Sequence, residues 1–293
     1  MRRLRSWAAN PWGKPRFLVV LTLAYMAWAI VPILVAIRFS FNEGRSRSTA
    51  QGWSTRWYWD DPDLSVWNDP SLRQAVYQSL ELAALAMLLA VPLGVLLALA
   101  LTRWRGRGSG PARFVSLFPL VTPEIVMGTA LFLTFVHLLD FVELGTPAQV
   151  IGHVTFSISF VVIIVRSRLL SIGPEYEEAA MDLGASPRQA LRMVLLPLLA
   201  PAIFASFMIV FAISIDDFVI SAFLSSDART ETVPIKIYSN ARGAPTPALN
   251  AVASVMLVVA LFAIALAAVV VWLVQRARGE RVRAVQDFAR LNV

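Results

Sequence analysis

The stretch EEAAMDLGASPRQALRMVLLP, residues 177–197, is a charged, turn-punctuated island between two long apolar runs. Just upstream and at its start, Pro174, Glu175, Glu177 and Glu178 place a proline and carboxylates where a helix N-terminus favours them, and Gly184 supplies the left-handed residue that ends a helix. The pattern predicts a helix of about two and a half turns. Ser186 and Pro187 then read as an N-cap and a first-turn proline, opening a second helix through Leu196, with Pro197 standing before the next apolar run. On local pattern alone this helix-turn-helix is as readily an interfacial connector as a working part. Its role depends on where the rest of the chain sits.

Of 293 residues, 57% are hydrophobic and 15% charged, and mean hydropathy is +0.65, which leaves too little polar surface to coat a globule of this length. The chain reads as an all-α, polytopic membrane bundle. Apolar stretches at 17–37, 80–101, 114–139, 148–165, 198–224 and 249–274 can each cross about 30 Å of hydrocarbon at about 1.5 Å per residue. The first exceeds the ~7–15-residue core of a secretory signal and no A-x-A-like site follows it, so it is read as an uncleaved anchor. With six spans both termini share a side. The termini and the loops on their side carry 18 of the 26 Lys and Arg and the other loops 8, so the positive-inside rule puts both termini, the loop at 102–113 and the island in the cytoplasm. Residues 1–16 and 275–293 are then cytoplasmic tails around a membrane domain at 17–274, with the island's connector at about 174–197. An isoelectric point near 10.5 would suit a nucleic-acid binder only if the basic residues gathered on one face, and they flank apolar segments instead. No cysteine is present, which excludes disulfides, thiolate catalysis and cysteine metal sites.

Three acids fall inside apolar runs. Asp216 and Asp217, in SIDDFVIS (214–221), each cost about 2.5–3.5 kcal/mol at mid-membrane and so need partners, protonation or a wet cavity. Adjacent helical residues point about 100° apart, so one can line a passage while the other pairs with a neighbouring helix or subunit; both could instead be structural, bonded to backbone or to an arginine. Glu124, in PLVTPEIVMG (119–128), sits between Pro123 and Gly128, where helix irregularity is expected. Pro92 and Gly94 suggest another bend in the second run. In the segment 39–71, Trp53, Trp57, Tyr58, Trp59 and Trp67 with Asp60, Asp61, Asp63 and Asp69 could receive a partner or a cation, against the plainer reading of an interfacial aromatic belt on a solvated loop. His137 and His153 lack neighbouring ligands in sequence and read as packed or interfacial. Neither an H-E-x-x-H motif nor a G-x-x-x-x-G-K-[ST] phosphate loop occurs, and no nucleophile-base set is visible, so the chain reads as no enzyme and any ATP hydrolysis must come from a partner.

Glu178-Ala179-Ala180, Gly184 and Val194-x-Leu196-Pro197 resemble the EAA signature of ABC importer permeases, E-A-A-x3-G-x9-I-x-L-P, with Val194 in place of isoleucine. The spacing is long and fixed, and it falls in the cytoplasmic loop before the penultimate span. PLVTPEIVMG, HVTFSISFVVIIVRSRL (153–169), SIDDFVISAF (214–223), PIKIYSNAR (234–242) and PALNAVAS (247–254) further resemble the second of the two permeases of spermidine/putrescine importers, over most of the chain from Tyr77 to the end of the last span. The resemblance implies a type I importer fold whose short cytoplasmic helix is a coupling helix, with Glu178, Ala179, Ala180, Asp182, Gly184 and Pro197 assigned to coupling with the ATPase. It also implies a second homologous permease, two ATP-binding subunits that hold ATP and magnesium, an external polyamine-binding protein, and a bacterial inner membrane. Asp216, Asp217 and Glu124 would then be carboxylates in the path of a flexible polycation. The segment 39–71 resembles the family less and says little about cargo. The nearest alternative is the same machine for iron, thiamine, a phosphonate or an oxyanion, although for an anion the aspartates would be misplaced. A proton-coupled secondary transporter would use Asp216 and Asp217 as protonation sites, but it predicts two related halves that the sequence does not show.

Overall fold

In hydrocarbon every backbone N–H and C=O must find a partner within the protein, and this chain meets that demand with helices. The computed structural model describes residues 16–46, 49–242 and 246–277, and among them there is no strand. The expected tails, 1–16 and 275–293, fall almost wholly outside the described residues. Helix α1 (Arg16–Ser40) leads into a turn-rich segment, 41–69, that folds around Trp57, whose ring is fully buried and whose indole N–H donates to the Asn42 carbonyl. Helix α2 (Pro70–Arg103) begins where the Asp69 carboxylate accepts the N–H groups of Ser71 and Leu72 and proline takes the first helical position.

The expected third span, 114–139, is not one helix. Helices α3 (Ser109–Val115), α4 (Phe118–Val121) and α5 (Glu124–His137) replace it, and the axis bends by 105° at Thr122–Pro123. Pro123 excludes the helical conformation at Thr122, whose ψ is 128°, and contributes no N–H of its own. Alone, the 14 residues of α5 reach only about 21 Å, so this passage exists as a bent pair beside five continuous spans.

Helix α6 (Thr146–Ile172) outruns its expected bounds of 148–165 at both ends. After Gly173 comes α7 (Glu175–Asp182), closed by Gly184 at φ +91° with the Gly184 N–H on the Met181 carbonyl and the Ala185 N–H on the Ala180 carbonyl, the paired bonds of a Schellman turn. Helix α8 (Pro187–Ala190) starts from a reciprocal cap in which Ser186 and Gln189 each bond the other's backbone N–H. It does not stop before Pro197. A π turn at Leu191–Leu195 joins it to α9 (Leu196–Asp216), giving one rod from Pro187 to Asp216. The Leu196 N–H reaches back five residues to the Leu191 carbonyl, and this wider turn shifts the ladder next to a proline ring that a regular helix would crowd. The expected fifth span, 198–224, breaks after Asp216 and resumes as α10 (Val219–Leu224). Helices α11 (Val233–Arg242) and α12 (Pro247–Ala277) complete the chain.

Helices α2, α6 and α9 form the core, with Ala86, Ala90 and Val95 of α2 against Val161 and Val165 of α6 and Leu199 and Val210 of α9. Lipid tails are as apolar as leucine, so close packing rather than the hydrophobic effect holds such helices together. Gly94 sets the closest approach: a Cβ there would lie 2.6 Å from the Val161 side chain. Helix α10 packs against α5 and α6, the segment 41–69 and α11 cap one end of α2 and α12, and α1 lies against α12 at the periphery.

Two outcomes test this packing. Gly94→Leu should lower the thermal midpoint of the detergent-purified protein, at a cost of about 1–3 kcal/mol for an overfilled core, while Gly110→Leu, where an added Cβ meets nothing within 4 Å, should leave it unchanged. In the segment 41–69, burial alone would raise the Asp61 carboxyl, but the N–H groups of Leu64 and Asp63 and the Arg56 guanidinium outweigh it and hold Asp61 below the ordinary carboxylate range. A depressed folded value means that this contribution is complete above about pH 4 and is lost as pH falls through the folded value. Acid titration followed by tryptophan fluorescence should show the segment loosening only below about pH 4, a step that Asp61→Asn removes.

Candidate functional site

Helix α7 buries none of its residues. Its first turn carries Glu175, Glu177 and Glu178, which complement the helix dipole. Glu178, Ala179, Asp182 and Gly184 are exposed and Ala180 is half-buried. Beside them Tyr176, Met181 and Leu183 are exposed apolar side chains, Leu183 at 91%. Pro197 is not part of this surface; it is half-buried in the first turn of α9. No atom lies within 4 Å of the Cβ position at Gly184, so the constraint there is the left-handed backbone and not crowding. Arg103, the last residue of α2, pairs with Glu177 and ties α7 to the core, a link between residues 74 apart that the island's local pattern does not reveal.

A second site lies where the rod breaks. A cavity of about 540 Å³ opens among α5, α6 and the α9–α10 junction, lined by Glu124, Asp216 and Asp217 and by the rings of Phe156, Phe160 and Phe218. Glu124 and Asp216 are exposed, whereas Asp217 is buried. Phe156 and Phe160 meet edge to face at 5.5 Å, and Phe218 stacks on Tyr238 of α11 at 4.6 Å. Exposed carboxylates beside ring faces attract a cation twice over, by charge and by the ring quadrupole. The structure therefore separates three acids that the sequence presents alike.

Behind the cavity runs a buried polar network. Oδ2 of Asp217 accepts the Ser221 N–H at 2.7 Å and lies 3.3 Å from His153 Nε2. His153, 2% exposed, also meets the Ser214 hydroxyl through Nδ1 at 2.7 Å and the Ser221 hydroxyl through Nε2 at 2.9 Å. One turn earlier on α6, Gln149 accepts from Gln78 at 2.8 Å and donates to the carbonyls of Ser221 and Thr230, each at 2.9 Å. His153 is packed, as its apolar setting suggests, but its tie to Asp217 and the whole role of Gln149 escape the sequence reading. The available signal was their spacing: two polar side chains four apart on an apolar helix share one face. His137 lies exposed in the last turn of α5. Among the described residues no group of three or more His, Asp or Glu side chains is placed to hold a metal ion.

Comparison with known proteins places this geometry in a family. Residues 90–279 match the family described as the binding-protein-dependent transport system inner membrane component. The chain is 34% identical over 285 residues to the putrescine transport system permease protein PotI of Escherichia coli K12, covering 94% of this chain and 95% of the relative. It is 37% identical over 238 residues to the spermidine/putrescine transport system permease protein PotC of the same organism, covering 81% and 87%. Among solved structures, a bacterial ABC transporter involved in import of the acidic polysaccharide alginate superposes with a TM-score of 0.68 at 18% identity, covering 86% of this chain and 94% of that one. That likeness shows the shared helical architecture, and the sequence matches carry the family: the chain belongs to the binding-protein-dependent transport system inner membrane components and is a multi-pass permease of the inner membrane.

Proposed function

We propose that this permease is one of two homologous membrane subunits of an ATP-driven polyamine importer, which passes putrescine or spermidine by alternating access. The observation that carries the reading is the cavity at the rod's break, where Glu124 and Asp216 stand exposed beside Phe156, Phe160 and Phe218. Identities of 34% and 37% to permeases named for putrescine and for spermidine/putrescine support the same cargo. A polyamine is a chain of ammonium groups on methylene spacers, and two exposed carboxylates in a cavity also lined by aromatic rings offer a contact for each part. Weak and dispersed contacts suit a passage, since a site that held its cargo tightly would not release it.

The partners follow from what the chain lacks and what it exposes. It has no phosphate-binding loop, so ATP and magnesium belong to two partner ATPase subunits and this subunit performs no hydrolysis. The exposed face of α7, with Glu178, Ala179, Asp182, Leu183 and Gly184, is the coupling surface for one of them, and the domain over 17–274 works around it. The 18-to-8 division of basic residues supports an orientation with α7 and both termini in the cytoplasm. The opposite end, with α11 and the segment 41–69, then receives an external polyamine-binding protein.

In the complete assembly reconstituted in vesicles, Gly184→Val should uncouple cargo-stimulated ATP hydrolysis from uptake, since a β-branched residue at φ +91° costs about 1–2 kcal/mol, while Gly184→Asn should retain most activity. Full coupling in Gly184→Val would remove this turn from the ATPase contact. Asp216→Asn and Glu124→Gln should each lower uptake of labelled putrescine about fivefold without loss of assembled complex. Wild-type uptake in both would exclude the cavity acids from the path.

A further inference from the structure

We infer that the two adjacent aspartates divide the work: Asp216 is the ligand for the cargo's ammonium group, and Asp217 is a positioning residue that, held by His153, fixes the break between α9 and α10 so that Asp216 and Phe218 face the cavity. The inference rests on the reading of the chain as a permease for a cationic solute.

The backbone shows why a positioning residue is needed. Helix α9 ends at Asp216, Asp217 is extended at φ −65° and ψ 123°, and Phe218 returns to the helical region at φ −103° and ψ −43°. One extended residue thus turns the chain. It also interrupts the ladder, leaving the first N–H groups of α10 without helical acceptors in a place where lipid offers none. The Asp217 carboxylate accepts the Ser221 N–H, the third of α10, as an N-cap side chain would. A buried carboxylate needs a partner in turn, and His153 supplies it: the two side chains are 1% and 5% exposed. His153 reaches Asp217 and the Ser221 hydroxyl through Nε2 and the Ser214 hydroxyl through Nδ1. One imidazole therefore pins α6 to both halves of the broken span.

Asp216 has the opposite surroundings. It is exposed to the cavity, and no described residue gives it a hydrogen bond or ion pair. Its charge is free for cargo, while that of Asp217 is already engaged. The neutral isostere should separate the roles. Asparagine at 217, with its amide oxygen where Oδ2 stands, can still accept the Ser221 N–H and face His153 Nε2, both of which lie against that one oxygen. Geometry survives there without charge. At 216 an asparagine keeps the shape and removes the one property that matters.

The chain has no cysteine, so label recovered on this subunit reports a single introduced thiol without background. Ala212 lines the cavity one turn before Asp216. Ala212→Cys, in the complete assembly in vesicles, is reacted with a neutral methanethiosulfonate with and without putrescine, and labelling is scored per assembled complex. Putrescine should slow labelling. Adding Asp216→Asn should leave the unprotected rate within about twofold and abolish protection, whereas Asp217→Asn should leave both within about twofold. Asp217→Ala and His153→Leu should each change the unprotected rate about tenfold, and the double variant should do no more than either alone. Loss of protection in Asp217→Asn at an unchanged rate would make Asp217 a ligand and overturn the division. Additive effects of Asp217→Ala and His153→Leu would overturn the latch. Absence of protection in Ala212→Cys itself would refute the cationic-cargo reading and the role of Asp216, and the unprotected rates would still decide the latch.

Discussion

A helix interrupted inside hydrocarbon survives only if the backbone groups it releases are satisfied by the protein, and here the Asp217 carboxylate, backed by His153, satisfies the Ser221 N–H. The arrangement around it follows. Because Asp217 is extended, α9 ends with Asp216 on the cavity wall and α10 is free to pack between α5 and α6. Because His153 lies on α6, the break is tied to the helix that also forms the core with α2. Gln149, one turn away, holds both α10 and the chain beyond it, through the carbonyls of Ser221 and Thr230 respectively. A buried carboxylate–imidazole contact of this kind adds little to stability in the ordinary sense, since desolvation of the carboxylate offsets most of the attraction. Its return is in geometry.

Much of the architecture was legible because it is written locally. Apolar runs disclosed the membrane class, the acids and Pro174 marked the start of α7, and Gly184 and Ser186 marked the turn after it, since each acts through its own backbone or one three residues away. The bend at Thr122–Pro123 was half visible: proline announced an irregularity, but its 105° angle depends on what α5 packs against. The break after Asp216 was not visible at all. Hydropathy averages over a window and passes across two polar residues, and the side chain that stabilises the break, His153, is 64 residues distant in sequence from Asp217. The same limit hid the difference between Asp216 and Asp217, which arises from a partner on another helix. Pro197 illustrates the converse: its place in the sequence pattern suggested a boundary, yet a π turn carries the helix through it.

The architecture itself is indifferent to cargo. A bacterial ABC transporter involved in the import of an acidic polysaccharide shares this helical plan at 18% identity, so the arrangement of the helices does not by itself fix the cargo. Glu124 and Asp216 both line the cavity, and each sits next to a backbone irregularity: Glu124 follows the Pro123 bend and Asp216 precedes the extended residue. Irregular backbone and exposed charge coincide because the cavity offers both of them a place away from lipid.

The continuity of the helix from Pro187 to Asp216 has a mechanical consequence. Thirty residues of helix measure about 45 Å, and the near end of this rod is set beside α7 by the Schellman turn and the Ser186–Gln189 cap. A swing of about 5° at that end displaces the far tip by about 4 Å, close to the width of an ammonium group with its contacts. The far tip is Asp216, so any tilt of the rod moves that carboxylate relative to the cavity wall.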